Sequence, residues 1–368
     1  MPVPALLKIG YDRNAYFHGQ VWLYHATMQV VVWCRKGDDM YIATIDGGTS
    51  NTRVFVWHDG ILAGQAKAPV GVRNTAMDGT NQRLQEAVRD TLAEAARMAG
   101  VATGDISIVL AAGMLTSNVG LCDIPHVTAP VSLEGLAQAM VVKELPAICQ
   151  QPLWFVPGVR NCDPATLTPD QSIDMDMMRG EEVEAAGLLA QAAPEGKAVF
   201  VLPGSHNKYV MIDEQQRIQG CLTTLYGELL HSLTFDTILA DTLNRSFASE
   251  FLAGPFRKGV SDYYQMGLLH GAFMTRILGM FCHYTAQEAQ NYLLGLLMAD
   301  DMTALKRSRI FAGLEKAIFV VAGNTVMQKA YEAILKKDGY QVVLAAEEQQ
   351  QALSGRGALY LAGLRGLL

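Results

Sequence analysis

A short apolar strand early in the sequence ends in a turn that could bind phosphate and a metal ion. The strand at 41–46 runs from Tyr41 to Asp46 and is followed at once by Gly47, Gly48 and Thr49. Glycines let the backbone turn tightly and expose amide N–H groups to an anion, and a threonine hydroxyl adds a donor. An aspartate at the end of a strand can hold Mg²⁺ beside the phosphates, usually through water. The pattern predicts a phosphate loop with Asp46 nearest the metal.

A second turn later in the chain offers the same chemistry. It follows the apolar strand 198–202 and consists of Pro203, Gly204, Ser205, His206 and Asn207, with Lys208 as an added positive charge. Neither turn has the spacing of a Walker-type P-loop, and no G-x-G-x-x-G opens a helix, so Walker-type and Rossmann sites are unsupported. One Gly-containing turn is usually only a turn, but two in repeated settings favour phosphate binding.

A third element is a strand that breaks at a glycine before a helix. The predicted strand 317–321 runs into Ala322, Gly323 and Asn324. A residue without a side chain at such a junction lets a flat ring lie against the backbone. Alone this is an ordinary strand-to-helix junction, but beside two phosphate loops it favours an adenine or ribose contact.

A repeated α/β scaffold must position these three elements. Strand, Gly-containing turn, strand, turn and strand occur twice, with Gly47 and Gly204 in corresponding places. Further strands are predicted at 51–57, 61–68, 107–112, 208–212, 217–224 and 340–345, and helices at 82–98, 226–243, 287–299, 325–337 and 352–368. Residues 157–174 are predicted to be a loop that connects the halves. The repeat predicts two related α/β domains that face each other.

Length and composition exclude several classes of protein. The chain has 368 residues, of which 50% are hydrophobic and 18% charged, and its formal net charge is −7. This length predicts two domains and the composition excludes disorder. A nucleic-acid partner is not expected, because no basic run is present. Residues 14–34 lack formal charges, but polar side chains interrupt them, so no membrane partner is expected either. Six scattered cysteines without a CxxC pair favour free thiols and a cytoplasmic location.

The first 39 residues look separate from the repeat. Met40 directly precedes the first clean strand, which favours an interpretation of residues 1–39 as an extension of the reading frame that is not native. The alternative is an extra hairpin that packs on the domain.

The order of the three elements resembles the phosphate loops and adenosine loop of the actin/hexokinase/Hsp70 ATPase superfamily. Within it, the chain is most similar to the 2-dehydro-3-deoxygalactonokinase family. That resemblance rests on residues 112–120, on Met178-Arg179-Gly180-Glu181-Glu182 followed by the Pro-Gly-Ser-His loop, and on Gly227-Glu228-Leu229 with His231. It covers roughly Met40 to the C-terminus, and residues 1–39 have no counterpart in it.

The resemblance implies an α/β fold of two ribonuclease-H-like domains that flank a central cleft. Residues 40–175 would form the N-terminal domain, with the first phosphate loop and the sugar-acid contacts. Residues 176–368 would form the C-terminal domain, with the second phosphate loop and the adenosine loop. The implied activity is ATP-dependent phosphorylation of the 6-hydroxyl of 2-dehydro-3-deoxy-D-galactonate in galactonate catabolism, with ATP and Mg²⁺ as cofactors and the sugar acid as small-molecule partner.

The resemblance also implies roles for single residues. Asp46 is the expected metal-proximal carboxylate. The expected nucleotide contacts are Gly47, Gly48, Thr49, Pro203, Gly204, Ser205, His206, Lys208, Ala322, Gly323 and Asn324. Sugar kinases of the superfamily carry a Gly-Asp pair shortly before the second phosphate loop, and Gly180-Glu181 stands there, so Glu181 or Glu182 is the expected base. Alternatively, this acidic pair only stabilises the N-terminus of a helix.

A keto acid needs a cation for its carboxylate, and a guanidinium can bind one with two hydrogen bonds. The candidate cations are Arg53, Arg73 and Arg179, and the candidate hydrogen-bonding partners of the sugar hydroxyls are Asn51, Ser117 and Asn118. One departure from the family concerns the helix before the adenosine loop, where Gly-Leu-Leu-x-Gly-Ala-Glu is replaced by Gly295-Leu-Leu-Met-Ala-Asp-Asp301. Ala299 would crowd a nucleotide packed there, or the change would have no effect.

Three alternatives share the fold. A regulator or chaperone-like ATPase would keep the nucleotide loops without a sugar pocket, and the Arg-Gly-Glu-Glu block argues against it. A sugar-responsive repressor would add a DNA-binding segment, which residues 1–39, with four Lys or Arg, do not resemble. The third alternative is a kinase for the epimer 2-dehydro-3-deoxygluconate. The two sugar acids differ at one carbon, and only the geometry of the pocket decides which of them is bound. Assembly as a homodimer stays open.

Overall fold

The computed structural model describes residues 40–191 and 194–368, and the predicted extension at 1–39 lies outside them. The elements of the first half are β1 (Tyr41–Gly47), β2 (Thr52–His58), β3 (Ile61–Ala68), α1 (Val72–Asp78), α2 (Gln82–Met98), β4 (Ile106–Gly113), β5 (Val127–Thr128), α3 (Leu133–Gln138), β6 (Val141–Lys143), β7 (Leu153–Phe155), β8 (Val159–Arg160) and β9 (Met177–Met178). Six strands form one sheet in the order β3-β2-β1-β4-β7-β6, and β5, β8 and β9 form a small separate sheet.

The second half contains a five-stranded sheet and the longest helices. Its elements are α4 (Glu181–Gln191), β10 (Ala198–Leu202), β11 (Asn207–Ile212), β12 (Ile218–Thr224), α5 (Tyr226–Phe235), α6 (Ala253–Phe281), α7 (Ala286–Arg307), β13 (Ile318–Val321), α8 (Thr325–Lys337), β14 (Gln341–Leu344), α9 (Glu347–Gln350) and α10 (Leu353–Arg365). The sheet order is β12-β11-β10-β13-β14. No helix in the part of the chain that the structure describes is long and apolar enough to cross a membrane.

The two sheets have the same topology. β1 pairs antiparallel with β2 and parallel with β4, and β10 pairs in the same way with β11 and β13. The next strand outward is parallel in both sheets, β7 beside β4 and β14 beside β13. The predicted repeat and the predicted fold class are therefore confirmed: two ribonuclease-H-like sheets with the two predicted turns in equivalent positions.

Helices α4 and α10 connect the two sheets through one hydrophobic core. This core contains Trp57 of the first sheet, Val183 of α4, Phe200 of the second sheet and Leu361 of α10. β10 is buried along its whole length, which is typical of a strand covered on both faces. The last helix of the chain thus packs back on the first half, a contact that the sequence did not predict. The domain boundary at residues 175 and 176 stays a prediction.

The sequence prediction failed at one helix end, at a glycine-rich helix and at the five short strands β5 to β9, none of which was predicted. The predicted helix at 226–243 ends at Phe235, because the next residue, Asp236, leaves helical geometry with a φ of −113°. Helix α6 was not predicted, since five glycines and a proline interrupt its pattern, and it bends at Gly267, where φ is 76°. None of these differences lies in the two predicted turns at 47–50 and 203–206.

Candidate active site

A cavity of about 690 Å³ brings the three predicted elements together. Its wall includes Thr49, Ser50 and Arg73 from the first half, and Pro203, Gly204, Ser205, His206, Gly323 and Asn324 from the second. The volume lies within the range of small-molecule sites, about 300–1,000 Å³. We call this space the nucleotide cavity. Of the predicted nucleotide contacts, Gly47, Gly48, Lys208 and Ala322 do not line it.

The first phosphate loop, residues 47–50, is closed by its own backbone. The amide of Gly48 donates to the carbonyl of Asn51 at 2.8 Å, which forms the hairpin turn between β1 and β2. The start of α1 packs on this turn, with the amide of Arg73 donating to the carbonyl of Thr49 at 2.9 Å. Gly71 touches the backbone of Gly48 and Thr49 so closely that any side chain there would collide with it.

The second phosphate loop, residues 203–206, has the same plan but a different closure. The amide of Gly204 donates to the side-chain Oδ1 of Asn207 at 3.3 Å, where the first loop uses a backbone carbonyl. The start of α5 packs on the loop, with the amide of Glu228 donating to the carbonyl of Ser205 at 2.9 Å. His206 Nε2 lies 2.9 Å from Glu228 Oε1.

The adenosine loop lies directly against the second phosphate loop. Gly323 has φ of 100°, which favours glycine, and an added Cβ there would lie 3.1 Å from Pro203 Cγ. Asn324 caps α8 by accepting a hydrogen bond from the Met327 amide at 3.0 Å. Ala322 is buried in the hydrophobic core instead of facing the nucleotide cavity.

Four carboxyl groups converge where β1 and β4 end. Gly47 and Gly113 are paired at the ends of these parallel strands, and an added Cβ on Gly180 would lie 3.4 Å from Gly113 Cα. This contact brings the start of α4 to Asp46. We call Asp46, Glu181, Glu182 and Glu184 the acidic centre. The carboxyl ends of parallel strands are the usual position of a site in open α/β sheets.

Burial dominates the electrostatics of the acidic centre. It raises the pKa of Asp46, while the Arg53 guanidinium opposes that shift. Burial also raises the pKa of Glu184 to about 8, with the negative charges of Asp46 and Glu181 adding to it. The Asp46 Oδ2 accepts from Ser354 Oγ at 3.2 Å and lies 3.4 Å from Arg53 Nη1. The carboxyl groups of the acidic centre therefore have raised pKa values, which is typical of proton-transfer sites.

The two adjacent glutamates occupy different environments. Glu182 is fully buried, both of its oxygens accept the Gly180 amide at 2.9 and 2.8 Å, and burial raises its pKa to about 8. Glu181 accepts the Arg179 amide through Oε2 at 3.1 Å. Burial raises the pKa of Glu181, and the nearby Lys208 ammonium opposes this. Glu182 thus forms part of the helix start, whereas the Glu181 side chain is only half-buried.

These loops and the acidic centre fall inside one family match. A family model described as 2-keto-3-deoxy-galactonokinase matches residues 46–357. The chain belongs to the 2-keto-3-deoxy-galactonokinase family. The 2-dehydro-3-deoxygalactonokinase of Escherichia coli (strain K12) is 26% identical over 302 residues, which are 80% of this chain and 90% of that protein. The predicted family is confirmed, and the chain is a sugar kinase of this type.

A solved structure supports the same fold. A candidate 2-dehydro-3-deoxygalactonokinase from Sinorhizobium meliloti superposes with a TM-score of 0.65 at 22% identity, over 87% of this chain and 98% of that one. At this level of identity the likeness concerns the fold alone. It agrees with the paired ribonuclease-H-like sheets of this member of the 2-keto-3-deoxy-galactonokinase family.

The three predicted arginines have different surroundings. Arg179 is 11% exposed, and its guanidinium donates to the Thr116 carbonyl at 2.6 Å and the Ile124 carbonyl at 3.0 Å. It therefore holds the segment that carries Ser117 and Asn118. Arg73 lines the nucleotide cavity. Arg53 lies beside the acidic centre, and 51% of its side chain is exposed.

The remaining predicted contacts differ in accessibility. The Ser117 hydroxyl donates to the Met114 carbonyl at 2.7 Å and is buried, whereas Asn118 is exposed and Asn51 half-buried. Lys208 is buried, and its Nζ donates to the Met177 carbonyl at 2.8 Å and to the Thr223 hydroxyl. In this structure Lys208 thus contacts the strand before α4, and a phosphate contact by Lys208 stays a prediction.

The residues present fit a magnesium ion that arrives with a nucleotide. Among the described residues, no group of three or more His, Cys, Asp or Glu side chains could hold a metal by itself. Mg²⁺ bound with a nucleotide typically uses one or two carboxylates, phosphate oxygens and several waters. Asp46, at the end of β1 beside the first phosphate loop, suits that arrangement.

Sequence reasoning missed two members of the site. Glu184 lies three residues after Glu181, on the same face of α4, so its position carried a signal that could have been used. Ser354 contacts Asp46 from the start of α10, 308 residues further along the chain. No local pattern marks such a residue.

Proposed function

We propose that this protein transfers the γ-phosphoryl group of ATP to the 6-hydroxyl of 2-dehydro-3-deoxy-D-galactonate. The observation that carries the proposal is the position of Glu181 and Asp46 at the ends of β1 and β4, beside two phosphate loops that share one cavity. Family membership supports the same activity. The substrate is expected to lie over the acidic centre with its 6-hydroxyl toward the nucleotide.

Nucleotide binding is assigned to the second half and the first phosphate loop. The adenosine part is expected against Gly323, and the phosphates between Thr49 and the backbone at 204–206. Mg²⁺, held by Asp46 through water and by the phosphates, would supply charge neutralisation at the transferred group. Ser354 and Arg53 hold the Asp46 carboxylate in place, through contacts of 3.2 and 3.4 Å.

The proton balance of the reaction assigns the central role to Glu181. As the 6-oxygen bonds to the γ-phosphorus, the bond from that phosphorus to the bridging oxygen breaks and ADP leaves. The hydroxyl proton passes to the Glu181 carboxylate, which must be ionised to accept it. The Lys208 ammonium favours this ionised form, because it lowers the pKa that burial raises. Glu182 is less suited to this role, because its side chain is fully buried and burial raises its pKa to about 8.

Arg53 is the proposed partner of the substrate carboxylate. It is the exposed guanidinium beside the acidic centre, whereas the guanidinium of Arg179 is occupied by carbonyl groups. The segment that Arg179 holds in place offers Asn118 to the sugar hydroxyls.

The experiment measures ADP release with Mg-ATP against a panel of sugar acids. The panel contains 2-dehydro-3-deoxygalactonate, its gluconate epimer, galactonate and a blank without sugar. Turnover on the first compound well above the others would support the proposal. Preference for the epimer would change the assigned substrate but not the assigned kinase activity. Equal turnover in the blank would contradict sugar phosphorylation altogether.

A further inference from the structure

A buried polar network lies under the second phosphate loop and serves no step of the mechanism described so far. β11 begins at Asn207, whose side chain is fully buried. The Asn207 Nδ2 donates to Asp301 Oδ2 at 2.8 Å and to the Tyr331 hydroxyl at 2.7 Å. The Tyr209 hydroxyl donates to the same Asp301 oxygen at 3.0 Å. The network joins β11, α7 and α8 directly below the nucleotide cavity.

The burial of this network is unusual for its polarity. Asp301 is 4% exposed, and Asn207, Tyr209 and Tyr331 are fully buried. Burial raises the pKa of Asp301 to about 6, and the charge of the neighbouring Asp300 adds to it. The other titratable groups facing Asp301 are the hydroxyls of Tyr209, Tyr331 and Tyr226. A buried carboxyl group held by neutral donors costs folding free energy, so a function for it is expected.

The network ends at the phosphate loop. Because both hydrogens of the Asn207 amide are taken by Asp301 and Tyr331, its oxygen is fixed toward the Gly204 amide, at 3.3 Å. That bond closes the second phosphate loop, as the Gly48-to-Asn51 backbone bond closes the first. Without the Asp301 acceptor, the Asn207 amide could rotate, and the Gly204 amide would lose its partner.

From this geometry we infer that Asp301 is a positioning residue for the second phosphate loop and thereby sets nucleotide affinity. It acts through Asn207 and does not touch the nucleotide. The inference rests on the proposed function, since it assigns the loop to nucleotide phosphates. The inference also explains one of the positions, Ala299-Asp300-Asp301, at which the chain differs from the sequence typical of the family. Asp301 stands where the family has Glu and still provides a carboxylate.

The test compares nucleotide affinity in matched variants, measured by calorimetric titration with Mg-ADP. Asp301→Leu removes both acceptor oxygens and is expected to weaken Mg-ADP binding about tenfold or more, the cost of one or two lost buried hydrogen bonds. Asp301→Asn keeps one oxygen and is expected to restore affinity to within about threefold. Asp300→Leu, the same change at the adjacent residue, is the control and is expected to leave affinity unchanged. The KM for the sugar acid should stay constant in all three.

A double-mutant cycle separates positioning from a general effect on folding. If Asp301 acts through Asn207, then Asp301→Leu should have little further effect on Mg-ADP affinity in an Asn207→Ala background. Tyr331→Phe, which removes one hydroxyl from the network, is the milder variant if Asp301→Leu does not fold, and about a threefold loss is expected. Additive losses in the cycle, or equal losses in Asp301→Leu and Asp300→Leu, would overturn the inference. Absence of Mg-ADP binding and of turnover in the unmodified protein would instead contradict the proposed function.

Discussion

The two phosphate loops occupy equivalent positions in two sheets of the same topology, yet they are built differently. The first is closed by a bond between its own backbone groups, Gly48 to Asn51. The second is closed by the side chain of Asn207, which is held by Asp301 on a distant helix. A repeated scaffold therefore does not require repeated chemistry. The first loop is determined locally, and the second depends on the packing of its domain.

The charged groups around the two loops differ in the same way. Beside the first loop lie the acidic centre and two arginines, Arg53 and Arg73, whereas the second loop is flanked by the His206–Glu228 pair. This arrangement suits proton transfer and an anionic sugar on one side and a nucleotide on the other. The division between the acidic centre and the nucleotide cavity can be tested by variants that affect only one substrate.

The largest effect is expected from Glu181→Gln. Because it removes the proton acceptor but keeps the shape of the side chain, kcat should fall about 10²–10⁴-fold. Mg-ADP affinity should not change, since Glu181 lies outside the nucleotide cavity. Steady-state kinetics and nucleotide titration check both points.

Glu182→Gln is the matched control for this prediction. Its carboxyl group has a pKa of about 8, so it is mostly protonated at neutral pH, and Gln can keep a hydrogen bond from the Gly180 amide. We expect activity within about threefold of the unmodified enzyme. A larger loss in Glu182→Gln than in Glu181→Gln would reverse the assignment of the base.

The next largest effect is expected from Arg53→Ala, which should raise the KM for the sugar acid about 10–100-fold through loss of a charge-assisted contact. Arg73→Ala, by contrast, should change the KM for ATP, because Arg73 lines the nucleotide cavity. Initial rates with each substrate varied in turn provide the comparison. If both variants altered the same KM, the proposed division between the acidic centre and the nucleotide cavity would be wrong.

Gly227→Ala is expected to weaken Mg-ADP binding about tenfold, because its Cβ would collide with the backbone of Gly204 and Ser205 and displace the second loop. Gly254→Ala on α6 is a suitable control, since an added Cβ there has open space. Nucleotide titration and thermal unfolding of both variants distinguish a local change from general destabilisation. Unchanged affinity in Gly227→Ala would show that the shape of the loop is not critical.

The smallest effect concerns the pH dependence of stability. Since the pKa of Asp301 is raised to about 6, the folded protein holds a proton there at pH 5 that the unfolded chain has released. Raising the pH to 7.5 removes this proton and lowers the free energy of unfolding by about 1 kcal/mol. This is the energy of roughly one pH unit, the interval between pH 5 and the pKa of Asp301. Asp301→Asn should lack this component. Urea unfolding of both proteins at the two pH values measures it, and identical pH dependence would show that Asp301 does not titrate as inferred.

Local patterns in the sequence were sufficient for the repeat, for both glycine-containing turns and for nine strands, but not for the five short strands β5 to β9. Glycine turns after apolar strands are short-range signals. Contacts between distant residues were not accessible in this way. Ser354 reaches Asp46 across 308 residues, and Asn207 reaches Asp301 across 94. The choice between Glu181 and Glu182 depended on burial, which adjacent positions on a helix do not reveal.

The most direct test of the central claim is the identity of the phosphorylated product. The protein would be incubated with Mg-ATP and 2-dehydro-3-deoxygalactonate, and the product analysed by phosphorus–proton NMR correlation. We expect one new phosphomonoester whose phosphorus couples to the C6 methylene protons, and we expect this product to be lost in Glu181→Gln. Phosphate at another carbon, or release of inorganic phosphate without a sugar phosphate, would contradict the account.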